Sequence, residues 1–493
     1  MYTPEEESAM EFQSLPSVVV DGDREVSAGE LSADVLRVAA GLRDRGVGPG
    51  DRVVVSLANS YEFVAVHLAL DALGAVTVNL PAGFRREVGQ VVRMVDAVLC
   101  VMGLVEDARV YGDLRQVVSV ADGLDALSGD PSGLALAPRA EGERAWLAFT
   151  SGSTGTPRAA VHTRRSLAAS TRAMAERYGV GPDDGVLVAA PVGHAIGFCY
   201  GVRLACDVGS RMVLQRSWSA DRAIALIDEQ GCTFAAVPAP FLADLVDAGV
   251  RPAGGTLRHL LVGGAPVPRD QLVEADALFG PGVASRYFGA SECGAVLSCP
   301  PGAPDAKRLS SDGVVMGGLE VRVVDEAGLD VAVGVEGEML VRGEQVALGY
   351  WASNDSDEQF GADGWFATRD RVAADEAGYV SVTGRLKDLV ISGAVNVVPR
   401  EVEEAVASHP AVGHVIVFGR PDRRMGERVV AAFTAVGEPP DLEAIREWLA
   451  SSGLARAKWP AEVVVIDELP RTGSGKIDRE RVRAELLDGE LTS

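Results

Sequence analysis

The chain has 493 residues, enough for two to four domains, and 47% of them are apolar against 24% charged, the balance of a soluble protein with a large core. A formal charge of −24 with no basic stripe argues against a nucleic-acid reader. Six cysteines with no Cys-x-x-Cys pair argue against a zinc site or a redox motif, and suit a reducing cytosol.

The first residues, "MYTPEEESAMEF", are acidic where a signal peptide needs basic ones. The longest greasy run, "FVAVHLALDALGAVTVNL", is broken by His67, Asp71 and Asn79, whereas a membrane span needs about 18 uninterrupted apolar residues. The expectation is a soluble, cytoplasmic protein without a membrane span.

Along the chain, "DRVVVSLAN" reads as a buried strand, "SYEFVAVHLALDALG" as a helix closed by Gly74, and "AVTVNL" as a further strand. Short β-branched runs then alternate with helical ones: "GVLVAAPV", "RMVLQ", "CTFAAVPAP" and "LRHLLVGGAP". That alternation predicts layered α/β structure with much parallel sheet. From about Gly318 the texture turns to strands and turns ("LEVRVVDEAG", "GEMLVRG", "GYVSVTG"), a β-rich subdomain over about 318–384. After Gly384, "REVEEAVASH" reads as a helix that Pro399 opens and Pro410 stops. Strand, strand, helix and strand follow, which makes a small α+β domain of about 100 residues. The domains are therefore placed at 1–384 and 385–493.

One segment does not fit a plain alternation. "AFTSGSTGTPR", from Ala148 to Arg158, follows an apolar strand, precedes the helix-like "TRRSLAASTRAMAERY", and is mostly Ser, Thr and Gly. Such a stretch is either a flexible linker or a loop whose backbone N–H groups and hydroxyls converge on an anion. It is not a Walker A loop, because it lacks the G-x-x-x-x-G-K-[ST] spacing.

Four later segments accompany it in order: "YFGASE" (Tyr287–Glu292), "GWFATRD" (Gly364–Asp370), "GRLKD" (Gly384–Asp388) and "PRTGSGKIDR" (Pro470–Arg479). Together the set resembles the adenylate-forming superfamily of acyl-CoA synthetases, luciferases and peptide-synthetase adenylation domains, from about Asp51 to the end. The resemblance implies a large N-terminal domain, a small mobile C-terminal one, and a hinge near Lys387. It also implies two half-reactions: a carboxylate attacks the α-phosphate of ATP, then a thiol takes the acyl group.

By resemblance, Ser151, Gly152, Ser153, Thr154 and Gly155, flanked by Thr150 and Arg158, hold the β- and γ-phosphates. Glu292 ligates Mg²⁺ and Ser291 offers a hydroxyl to the α-phosphate. Asp370 accepts from the ribose hydroxyls, Arg385 contacts the ribose or its phosphate, and adenine lies against Phe288, Gly289 and the backbone at Gly264 and Ala265. The catalytic residues implied are Lys476, which bridges substrate carboxylate and α-phosphate, with Glu292 and His194. His194, Phe198, Gly264 and Ala290 line the acyl pocket. Amino-acid-activating relatives place an Asp near His194, where this chain has Ala195, Ile196, Gly197 and Phe198. A buried, unpaired ammonium there is costly, which favours an apolar or aromatic acid.

Five departures stand out. Arg158 replaces a common Lys, Phe288 a Tyr, Ser291 a Thr and Arg369 a Gly, while "SGAVN" (Ser392–Asn396) replaces "SGGEN". Ala394 adds a methyl group where a pantetheine arm would pass, so the second half-reaction rests on less than the first. Expected partners are a small carboxylic acid with ATP, Mg²⁺ and coenzyme A. Other acceptors are the phosphopantetheine of an acyl carrier protein or a non-thiol group, and a non-catalytic nucleotide-binding protein is the reading from another class.

Overall fold

The computed structural model describes residues 15–82, 86–103, 116–137, 140–150, 158–249, 255–352, 359–385, 390–392, 395–422, 425–452, 454–471 and 477–487. The chain divides into two compact units, Met1–Val321 with Val341–Ala367, and Arg322–Leu340 with Thr368–Ser493.

In the first unit a six-stranded sheet runs in the order Val117–Ser119, Leu99–Met102, Arg52–Ser56, Val76–Asn79, Arg144–Thr150, Arg158–Thr163. All its pairs are parallel except the last. Val53, Val54 and Val55 are successive and all wholly buried, so both faces of this strand are covered, as parallel sheets require. The helix Tyr61–Ala72 is apolar all round and buries every residue but Glu62, which accounts for its sequence lacking one polar face.

A nine-stranded sheet forms the second layer, in the order Val314–Val315, Gly294–Ser298, Ala284–Ala290, His259–Gly263, Phe234–Pro238, Gly185–Val188, Arg211–Leu214, Val18–Asp21, Arg24–Ser27. It is parallel in the middle and antiparallel at both edges. A four-stranded sheet of Leu319–Val324, Gly337–Gly343, Phe366–Ala374 and Val380–Arg385 accounts for the β-rich texture after Gly318.

In the second unit, Val395–Val397, Val390–Ser392, Gly426–Ala435 and Val412–Asp422 pair in that order, and Glu462–Val465 adds to Gly426–Ala435 in parallel. Pro399 opens the helix Pro399–Ala407 at its first turn, where the missing N–H costs nothing. The fold is the expected α/β layering with a β-rich part and a small α+β part.

One local expectation changes. The Ser/Thr/Gly segment does not run straight into a helix. Arg158–Thr163 first returns as a strand antiparallel to Arg144–Thr150, and the helix Arg164–Tyr178 begins only after Thr163 caps it. A helix N-terminus is therefore not the immediate continuation of the loop.

Candidate active site

Ser151, Gly152, Ser153, Thr154 and Gly155 lie outside the described residues, as do Lys387 and Lys476. Thr150 ends one strand and pairs with Arg158, which begins the next. Side chains alternate along a strand, so Arg158, Ala160 and His162 share one face. Ala159 and Val161 take the other, buried with Val54 and Leu147. The outer edge of this strand is also covered: Val161 N–H donates to Gly349 O at 2.9 Å, and Trp351 N–H to Ala159 O at 2.8 Å.

The face carrying Arg158 and His162 is tied to the turn at Ser291 and Glu292. That turn joins the antiparallel strands Ala284–Ala290 and Gly294–Ser298. They approach so closely that a Cβ on Gly289 would lie 2.3 Å from Gly294 O, so only glycine fits. Glu292 is buried, at 8% exposure, and Tyr350 donates its hydroxyl to Glu292 Oε1 at 2.8 Å. The Glu292 carbonyl accepts from Ala347 N–H at 2.8 Å. His162 Nε2 meets Ser291 O at 2.7 Å, and its Nδ1 meets Ser166 Oγ at 3.0 Å. Burial lowers the His162 imidazole to about 4, with the Ser291 carbonyl pulling the other way, so the ring is neutral and Nε2–H is the donor.

Arg158 NH1 donates to Gln359 Oε1 at 3.3 Å, and its guanidinium lies 5.4 Å from the Tyr350 ring centroid. Burial, and next the Glu292 charge, push the Tyr350 phenol far above its ordinary range, so it stays a proton donor. The structure thus brings together Arg158, Ser291 and Glu292 through three residues that the sequence did not single out: His162, Tyr350 and Gln359. Only Tyr350 had a visible cue, in "LGYW" between two signature segments.

At the ends of neighbouring parallel strands, Val262 is level with Arg286. Gly264 (φ +79°) and Ala265 lie exposed just beyond one of these strands, and Phe288 and Gly289 are half-buried on the other. In the second unit, Asp370 and Arg385 are paired residues of adjacent strands, and Arg385 Nε donates to Asp370 Oδ1 at 2.9 Å. Asp370 N–H in turn donates to Thr368 Oγ1 at 3.1 Å. Arg369 has φ +63°, the left-handed conformation that glycine adopts without strain. A backbone requirement explains why a glycine is common at that position.

His194 is half-buried ahead of the short helix Ala195–Gly197, which continues as a π-helix over Phe198–Arg203. Ala290 is half-buried at the end of its strand. Phe198 is the most buried of the four acyl-pocket candidates. It has no exposed surface and packs against Trp146, His67 and Phe63, with the first two ring centroids both 4.8 Å away. Its ring gains edge-to-face and tilted aromatic contacts from all three.

Among the described residues no group of three or more His, Cys, Asp or Glu could cage a metal. A lone buried carboxylate with one oxygen held by a neutral hydroxyl does fit Mg²⁺, which binds through few carboxylates together with substrate phosphates. Also among the described residues, no helix is long and apolar enough to cross a membrane.

The chain is similar to a medium-chain fatty-acid–CoA ligase of Escherichia coli, 31% identical over 90% of this chain and 82% of the relative. A feruloyl-CoA synthase of an Amycolatopsis species is 32% identical over 95% of each. The crystal structure of ATP-bound MatB from Rhodopseudomonas palustris superposes with a TM-score of 0.89 at 27% identity, covering 99% of both chains. The family model for AMP-binding enzymes matches residues 5–351, and that for the AMP-binding enzyme C-terminal domain matches 401–476. The chain belongs to this family, the adenylate-forming enzymes.

Proposed function

We propose that the protein is an acid–CoA ligase: it activates an apolar or aromatic carboxylic acid with ATP, releases pyrophosphate, and transfers the acyl group to coenzyme A. The observation that carries this reading is the buried Glu292 carboxylate, aimed by Tyr350 and tied through one strand face to the end of the Ser/Thr/Gly segment. A carboxylate so held is built to receive a cation alongside phosphates. The relatives that act on medium-chain fatty acids and on ferulate support an apolar or aromatic acyl group. So does the uncharged "HAIGF" stretch.

In this reading, Ser151 to Gly155 present N–H and hydroxyl donors to the β- and γ-phosphates, and Ser291 presents one to the α-phosphate. Mg²⁺ bound at Glu292 supplies positive charge against the phosphates. Asp370 accepts from the ribose hydroxyls, with Arg385 holding one of its oxygens, and Phe288 covers the base. Lys476 brings a cation to the attacking carboxylate and the α-phosphate, where charge crowds most in the transition state. The hinge at Lys387 then lets the C-terminal domain, 385–493, carry Lys476 away, so the thiol can enter beside "ISGAVN". Ala394, which lies outside the described residues, stands where glycine is common, which favours a second reading in which the acceptor is a carrier-protein phosphopantetheine or a non-thiol group.

A pyrophosphate-release screen across carboxylic acids, repeated with coenzyme A and with a carrier protein, tests both. The expected result is acid-dependent release that coenzyme A accelerates. Turnover indifferent to coenzyme A for every acid would sink the ligase reading and leave adenylation standing.

A further inference from the structure

Arg158, Gln359, Tyr350 and Glu292 form one chain of contacts inside the first unit, and their geometry fixes who donates to whom. Gln359 Nε2 donates to the Ala367 carbonyl at 3.1 Å. A carbonyl can only face an N–H, so Gln359 Oε1 must point the other way, toward Arg158 and Tyr350. Tyr350 carries one hydroxyl proton and has two acceptors in reach: Glu292 Oε1 at 2.8 Å and Gln359 Oε1 at 3.3 Å. Arg158 NH1 also donates to Gln359 Oε1 at 3.3 Å, and the shorter contact with the charged carboxylate takes the tyrosyl proton. Among the described residues, Tyr350 provides the one side-chain hydrogen bond to Glu292, and it falls on Oε1.

We propose that Arg158, Gln359 and Tyr350 are positioning residues that aim Oε2 of Glu292 at the metal, with Arg158 acting through Gln359 rather than on the phosphates alone. The arrangement gives the Arg at this position a reason of its own. A guanidinium is a flat fork that can lie over the Tyr350 ring and still donate sideways to Gln359, whereas an ammonium is a point charge with no such shape. Partners that orient a metal-holding side chain commonly change metal affinity by about 10- to 100-fold.

This inference rests on Glu292 holding Mg²⁺, so the experiment separates the two. ATP binding to the full chain, with no acid present, is measured by calorimetry across Mg²⁺ concentrations for wild type, Tyr350→Phe, Gln359→Leu, Glu292→Gln, and Arg158→Lys alone and with Gln359→Leu. Tyr350→Phe should raise the Mg²⁺ concentration at half-effect about tenfold, with ATP affinity restored at saturating Mg²⁺. Gln359→Leu should move it the same way by less, and adding Arg158→Lys to Gln359→Leu should move it no further. If Glu292→Gln shifts the Mg²⁺ midpoint while Tyr350→Phe and Gln359→Leu leave it unmoved, the relay is overturned and the metal assignment survives. An unmoved midpoint in Glu292→Gln overturns both. Loss of one hydroxyl in Tyr350→Phe and an uncharged replacement in Gln359→Leu give two independent chances of a folded variant.

Discussion

Glu292 and Asp370 are both buried carboxylates, at 8% and 2% exposure, yet they are answered by opposite kinds of partner. Tyr350 meets Glu292 with a neutral hydroxyl, and His162, a neutral imidazole, steadies the adjacent carbonyl. Asp370 is met by the guanidinium of Arg385, which is itself 52% exposed. The difference matches what each acid has left to do in the proposed mechanism. A carboxylate that must later accept a cation is best held by neutral donors, since a resident cation would compete with the arriving one. A carboxylate that must only accept hydrogen bonds from hydroxyls can keep its cation and lose nothing. Backbone strain separates them as well: the Glu292 turn has glycine where φ is positive, at Gly294, while Arg369 beside Asp370 does not.

The contrast can be tested most sharply by removing charge altogether. Both acids can be intact and still useless if the transferred cation is missing, so Lys476→Ala should cut acid-dependent pyrophosphate release by at least about 100-fold. Thiolation from a supplied acyl-adenylate should survive; an equal fall in both half-reactions would place Lys476 elsewhere in the mechanism. A neutral anchor also makes the Glu292 region sensitive to acid. An unfolded imidazole titrates near its usual value, whereas burial lowers His162 to about 4. Between those values the unfolded chain binds a proton that the folded one refuses, so stability drops as pH falls. From pH 7.5 to 5 the loss from His162 should be about 2 kcal/mol, read as a denaturant midpoint that moves less in His162→Gln.

On the other side, Asp370→Asn keeps the shape and removes the charge. It should raise the KM for ATP about tenfold with a smaller effect on kcat, and steady-state kinetics at varied ATP would show it. The smallest effect belongs to the backbone. Arg369→Gly relieves the left-handed residue and should add about 1 kcal/mol of stability, visible as a higher Tm with activity retained. A lower Tm would mean that the Arg369 contact with Glu338 outweighs the strain.

Regular structure was legible wherever a run of β-branched residues met a clear boundary. Arg52–Ser56, His259–Gly263 and Pro399–Ala407 fall where their sequences put them. Arg158–Thr163 was harder, because two Ala and one Val carry little strand signal without the partner Arg144–Thr150, which supplies the ladder. The opening hairpin and the helix Ala28–Asp44 add to this, and Ser27 and Glu30 form a capping box that the sequence spells out. In the site, the signature segments single out Glu292, Asp370 and Arg385 for the proposed roles, and the structure shows both acids buried. Tyr350 and Gln359 could not be assigned roles, since a phenol and an amide acquire them only through the neighbours that the fold supplies.

The strand pair that closes the Ser/Thr/Gly segment has a consequence for anyone who edits it. Thr150 and Arg158 form a rung of an antiparallel ladder, so the seven residues between them, 151–157, start and end at paired strand residues. A substitution within 151–157 leaves the alternation beyond it untouched. One residue inserted after Arg158, by contrast, would shift the side-chain parity of the strand relative to that rung. Either Arg158 or His162 would then turn into the apolar layer of Val54 and Leu147. A single insertion just after position 158 should therefore bury a polar side chain in that layer and lower the Tm.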